Sequence, residues 1–144
     1  MTIMNYNYNE KKFVIVLSSK LEIGEAFNVV GHLSISAGCY AENHMGRSEL
    51  IDGSGGKHKG ISKYPVIITK VKPSKIKGYL EKAKETEDLL TIDYPSNMYD
   101  TGHDDELAES LAGTTEENIE YWGFLIFGNR NLVDEITGKF SLWK

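Results

Sequence analysis

Apolar and polar residues alternate along this chain with a period that changes from segment to segment, and each period names an element. FVIVL, Phe13 to Leu17, is an uninterrupted β-branched and aromatic run, the pattern of a strand buried on both faces and central in its sheet. From about Ile23 to Gly38, the apolar positions Ile23, Ala26, Phe27, Val30, Leu33 and Ala37 recur three and four residues apart. That spacing predicts a helix with Gly38 as its stop. Glu25, Asn28, His32 and Ser36 line it as a polar stripe.

PVIIT, Pro65 to Thr69, reads as a second strand, and Pro73 opens a helix carrying Ile76, Tyr79, Leu80 and Ala83 on one face. LLTIDY, Leu89 to Tyr94, and WGFLIFG, Trp122 to Gly128, supply two more strands. A short amphipathic turn at Leu107, Ala108 and Leu111 ends at Gly113, and a last helix starting near Asn131 ends at Gly138. The tail KFSLW suits a short edge strand. Strands separated by helices favour parallel pairing with right-handed crossovers. The expected architecture is therefore α/β, with a single mixed, mainly parallel sheet of about four strands and helices on both faces.

Between Tyr40 and Tyr64 the periodicity fails, and five glycines mark a long loop with a ragged hairpin turning at Asp52 and Gly53. Residues 1–12 are polar and aperiodic and read as a flexible N-terminal segment, leaving 13–144 as one domain without internal repeats.

Composition changes this picture little but narrows the partners. A chain of 144 residues with 40% hydrophobic and 26% charged residues is globular. Its net charge of −5 and pI near 5.4 argue against nucleic acid as a partner. The local exception is the run Lys70, Lys72, Lys75, Lys77, Lys82 and Lys84, read first as a solvated helix face. No apolar stretch is long enough for a membrane span, the first residues lack the pattern of a secretory signal, and Cys39 has no partner. These features predict a cytoplasmic protein. Cys39, beside the end of the first helix, reads as a small packing residue.

Candidate chemistry concentrates in YDTGHDDE, Tyr99 to Glu106. Asp100, His103 and Asp104 combine carboxylates with an imidazole, groups suited to acid and base work on a bound water, and they are the catalytic candidates. The same acids also suit a helix start, and a polar turn is the simpler reading. Asn28 and His32 are the ligand-binding candidates if the helix stripe meets this segment at the strand ends. His32, His44, His58 and His103 lack zinc spacing, no serine sits in a nucleophile motif, and GSGGKHKG departs from a phosphate loop because His58 follows Lys57. No metal or other cofactor is expected.

The closing segment FLIFGNRNLVDEITGKFSL, Phe124 to Leu142, resembles that of the type-2 peptidyl-tRNA hydrolases, with Gly128, Asp134, Ile136, Thr137 and Gly138 at the corresponding places. DTG, Asp100 to Gly102, is similar to their DAG motif. AFNV at Ala26 to Val29, TGHD at Thr101 to Asp104 and NLVDEITGKFSL at Asn131 to Leu142 resemble, more closely, an uncharacterised bacterial family sharing that fold. The resemblance implies a type-2 peptidyl-tRNA hydrolase-like fold, an active-site role for Asp100 and a homo-oligomer. Glu25 and Phe27 stand where the hydrolases carry lysines, and Asp104 where they carry threonine. The expected partner is a small-molecule ligand held in a polar cleft. A non-catalytic protein-interaction or regulatory module, and a diverged hydrolase of peptidyl-tRNA or a related ester or amide, are the alternatives.

Overall fold

The computed structural model describes residues 5–144. The first four residues of the expected flexible segment lie outside the described residues. Strand β1 (Lys11–Ser18) is followed by helix α1 (Ile23–Tyr40), the small strands β2 (Glu49–Ile51) and β3 (Lys57–Lys59), and strand β4 (Val66–Val71). Next come α2 (Pro73–Glu85), β5 (Leu90–Pro95), the short α3 (Asn97–Asp100) and α4 (Asp104–Ala112). Strand β6 (Tyr121–Asn129), α5 (Arg130–Thr137) and β7 (Ser141–Leu142) close the chain.

The main sheet has five strands in the order β5-β6-β1-β4-β7. Among the described residues only β1 and β4 pair in parallel; β6 is antiparallel to both β1 and β5, and β7 is antiparallel to β4. The expectation of a mainly parallel sheet of about four strands is therefore corrected. The reason lies between β5 and β6. α3 and α4 do not carry the chain across the sheet, because Ser96 N–H donates to the Glu120 carbonyl at 2.7 Å and closes the excursion where it began. The chain re-enters at the end it left, and β6 must run back along β5. The fifth strand is the tail, held to β4 over two residue pairs.

β1 sits in the middle of the sheet, as its unbroken apolar run requires. Its alternating side chains feed two cores. Phe13, Ile15 and Leu17 meet Ala26, Val29, Leu33 and Ala37 of α1 on one face. Val14 and Val16 meet Ile76, Leu80 and Ala83 of α2, with Val133 and Ile136 of α5, on the other. Helices thus cover both faces. The chain steps from β1 to β4 in one direction along the sheet and from β4 to β5 in the other. Crossovers of one hand then put α1 and α2 on opposite faces.

The buried stripe of α1 includes the expected Ala26, Leu33 and Ala37 but differs from the expectation at its rim. Val29 is buried, whereas Ile23 and Phe27 are exposed, Phe27 at 67%. Glu25 closes the helix start instead: its carboxylate accepts the Glu22 N–H at 2.8 Å in a reciprocal capping box. Cys39 is exposed and does not pack in the core.

The glycine-rich segment forms the β2–β3 hairpin. Asp52 Oδ1 accepts N–H bonds from Ser54 and Gly56, both 2.9 Å, and Gly55 takes the left-handed φ of +84° that the turn needs. No helix among the described residues is long and apolar enough to cross a membrane.

Candidate functional site

The carboxyl ends of β1, β4 and β5 share one edge of the sheet with the start of β6. In open sheets built from crossovers, ligands characteristically bind outside such strand ends, near the point where the crossover direction reverses. Tyr94, near the end of the outer strand β5, lies at this edge on the α1 face.

The Tyr94 ring is 1% exposed, and its hydroxyl donates to Asn28 Oδ1 at 2.9 Å. This bond spends the Asn28 carbonyl oxygen inward and leaves the amide N–H groups of an exposed residue available outward. His32, one helical turn further along α1, has its ring centroid 6.2 Å from that of Tyr94. Burial pushes the Tyr94 hydroxyl pKa up, and the nearby Tyr99 and Asp100 add to the rise. Tyr94 therefore stays a protonated donor, and Asp100 projects its charge onto the same group.

Two of the five candidate residues, Asn28 and His32, thus contact one tyrosine, and Asp100 reaches it by its charge and not by a contact. His103 and Asp104 do not join them by any contact. His103 is the residue that precedes α4, its backbone carbonyl accepting the Leu107 N–H at 2.9 Å, and Asp104 begins the helix. Both side chains are exposed and make no hydrogen bond or ion pair among the described residues. Their placement is that of helix-start residues, where Asp104, Asp105 and Glu106 face the positive end of the helix dipole.

Four groups absent from the candidate set complete the edge. Trp122 stacks on Tyr94 with centroids 6.3 Å apart and packs on Tyr99 at 4.8 Å. Its indole N–H donates to Glu120 Oε1 at 2.9 Å, while Lys20 Nζ donates to Glu120 Oε2 at 2.8 Å. The Lys20 bond, followed by the Trp122 bond, holds the Glu120 carboxyl below the usual range. On the α2 side of this pair lies a cavity of about 400 Å³ lined by Lys20, Ser74, Lys77, Glu120 and Tyr121. The available signal was positional: Tyr94 ends an apolar strand and Trp122 opens one, so an antiparallel β5–β6 pair sets the two rings together.

The lysine run is partly consumed within the fold. Lys77 Nζ donates to the Glu116 carbonyl at 2.6 Å, and Lys84 pairs with Asp93 at 2.8 Å. Among the described residues, no group of three or more His, Cys, Asp or Glu side chains is arranged to hold a metal ion.

The model of a family described as a protein of unknown function, DUF2000, matches residues 11–144. A solved structure of a protein of unknown function from Agrobacterium tumefaciens strain C58 is similar in fold. It has a TM-score of 0.82 and 20% sequence identity, over 94% of this chain and 98% of that one. No curated protein matches the chain.

Proposed function

The chain belongs to DUF2000, a family of unknown function, and we propose that it binds a small neutral ligand at the strand-end edge around Tyr94. The observation that carries this reading is the Tyr94–Asn28 hydrogen bond. A buried phenol with a raised pKa fixes the orientation of an exposed amide, and the free N–H groups suit a carbonyl or hydroxyl oxygen of the ligand. His32 and Asp100 supply an imidazole and a carboxylate beside it. Asp100 disfavours an anionic ligand, so a neutral oxygen is preferred. Asp100, with His103 and Asp104 at the start of α4, is the acid and base set if the bound ligand is transformed.

An NMR-detected screen of neutral amides, ketones and polyols against the whole chain tests the reading. Hits are expected to shift the amides of Asn28, His32 and Asp100, and Asn28→Ala is expected to weaken them about tenfold, the loss of one hydrogen bond in a desolvated contact. Hits that bind Asn28→Ala and His32→Ala as well as the parent would refute it.

The finer fold reading is type-2 peptidyl-tRNA hydrolase-like, supported by the order of elements and by the segment Phe124 to Leu142. Hydrolysis of peptidyl-tRNA itself is disfavoured because Glu25 and Phe27 replace the expected lysines, and Glu25 is committed to the α1 cap. Turnover of peptidyl-tRNA by the purified chain at low salt would overturn that view.

One observation favours a protein-interaction reading. Ile23, Phe27 and Ile35 recur along one exposed side of α1, 64%, 67% and 76% exposed. A homo-oligomer using this stripe predicts a concentration-dependent mass in light scattering that Phe27→Glu abolishes.

A further inference from the structure

β1 and β4 are adjacent and parallel, yet β1 leads into α1 on one face of the sheet and β4 into α2 on the other. In open sheets a crevice forms outside the carboxyl ends of two such strands, and ligands characteristically sit there. Here the crevice continues along the start of α2 to the turn between α5 and β7, as a cavity of about 360 Å³. Its size is that of a small-molecule site.

Four of the residues around it are lysines: Lys70 and Lys72 at the end of β4, Lys75 in the first turn of α2, and Lys139 just after α5. None of its described lining residues is Asp or Glu. Elsewhere the fold answers its lysines: Lys12 pairs with Asp134, Lys20 with Glu120 and Lys84 with Asp93, and Lys77 donates to the Glu116 carbonyl. The side chains of Lys72, Lys75 and Lys139 make no hydrogen bond, ion pair or ring contact among the described residues, and Lys70 Nζ lies 5.9 Å from the centroid of the Trp143 ring. Lys72, Lys75 and Lys139 are exposed, so their ammonium groups are open to a ligand. Like charges gathered without a counter-charge, in a chain of net charge −5, repel one another, and a bound anion removes that cost. α2 adds to the same field: it starts at Pro73 with no side-chain cap and no acid in its first turn, so the positive end of its dipole is unneutralised. Ser19 and Ser141 supply hydroxyl donors at the cavity wall.

We infer that this cavity binds a small soluble molecule through a multiply charged phosphoryl group, held by Lys72, Lys75 and Lys139. A carboxylate brings one charge, whereas a phosphoryl group offers three acceptor oxygens and about two charges to several ammonium groups at once. Tyr79 and Phe140, packed edge-to-face with centroids 4.6 Å apart, give the rest of the molecule an apolar wall. A small ligand is favoured over a nucleic acid strand because the acidic chain repels a polyanion that extends beyond the cavity. The cavity shares no residue with the site around Tyr94, so its failure leaves that reading untouched.

The test is a titration of the whole chain with pyrophosphate in low salt, followed by amide shifts, with acetate and single-stranded oligonucleotides of several lengths compared at matched ionic strength. Pyrophosphate is expected to give saturable shifts at Ser19, Lys72, Lys75 and Ser141 and to bind about tenfold more tightly than acetate. Lys72→Gln and Lys139→Gln should each weaken it by about three- to tenfold, and the double variant should abolish saturation. Both side chains are exposed and unpaired, so the denaturation midpoint of each variant should match the parent's. Lys57→Gln, on the β2–β3 hairpin, removes the same charge from outside the cavity and should change the affinity by less than about twofold. An equal loss in Lys57→Gln, or equal affinity for acetate, would overturn the inference by reducing it to net charge. So would the absence of shifts at millimolar pyrophosphate. Affinity that rises with oligonucleotide length past that of pyrophosphate would overturn the small-ligand assignment in favour of nucleic acid.

Discussion

Replacing Tyr94 by Phe removes one oxygen from the strand-end site and nothing else. The ring, 1% exposed, keeps its stacking on Trp122 and its contact with His32, so no cavity opens and the large penalty of core truncation is absent. What is lost is the 2.9 Å bond to Asn28 Oδ1. A net contribution of about 0.5–1.5 kcal/mol is usual for such a bond. The lower half of that range applies here, because Asn28 is exposed and its freed oxygen can rehydrate. With a urea slope of about 2 kcal/mol/M, the unfolding midpoint should fall by roughly 0.2–0.5 M without a change of slope. The coupling is isolated by a double-mutant cycle of Tyr94→Phe and Asn28→Ala. If the bond orients the amide, the two changes together cost less than their sum by about 0.5 kcal/mol or more. Strict additivity would refute the claim that Tyr94 holds Asn28, and with it the basis of the proposed ligand site.

Gly123→Ala should be far more damaging than its size suggests. A Cβ there would lie 2.6 Å from the Val16 carbonyl oxygen and close to Leu17 and Val29, so β6 must shift against the central strand, at a cost of about 1–3 kcal/mol read from chemical denaturation. Stability should decline as pH rises past about 10, because Tyr94, Tyr64 and Tyr121 all have pKa values raised by burial. A raised folded-state value stabilises fully below the unfolded value and is lost through the folded one. The slope of midpoint against pH should shrink in Tyr121→Phe, whose hydroxyl also donates to Glu116. Glu25→Ala should cost about 1 kcal/mol or less through the α1 cap, and an unchanged denaturation midpoint would contradict that role.

Much of this fold was legible because its strands are short, strongly apolar and bounded by turn residues. The run Phe13 to Leu17 marks the central strand because only a strand covered on both faces has no polar side. Strand direction was not legible. Parallel pairing follows from a helix that crosses the sheet, whereas α3 and α4 stay at one edge, pinned by Asn97 Nδ2 to Ser110 Oγ at 2.8 Å and by the Ser96–Glu120 backbone bond. Nothing in the local pattern of residues 96–120 distinguishes a crossover from an excursion. The rim of the α1 stripe escaped for a related reason. Ile23 and Phe27 are as apolar as Val29, so spacing alone does not fix the rim, and packing against the sheet adds Val29 to the expected Ala26, Leu33 and Ala37.

The candidate site shows the same division between residue type and placement. Asp100, His103 and Asp104 share one polar segment, and proximity in sequence made them look like a single set. Asp100 ends α3, whereas His103 and Asp104 start α4 after a bend, so neighbours in sequence are divided between two short helices. Asn28 and His32 are far from Asp100 in sequence but one helical turn apart on the side of α1 that faces β5. Their common neighbour is a tyrosine that periodicity reads as core. A buried aromatic with a polar tip belongs to both the core and the site. Tyr94 is therefore the residue through which packing of the α1 face sets the direction of the polar groups above it. Substitutions in that core, at Val29 or Trp122, are expected to act on the ligand site by moving Tyr94 and without touching the ligand.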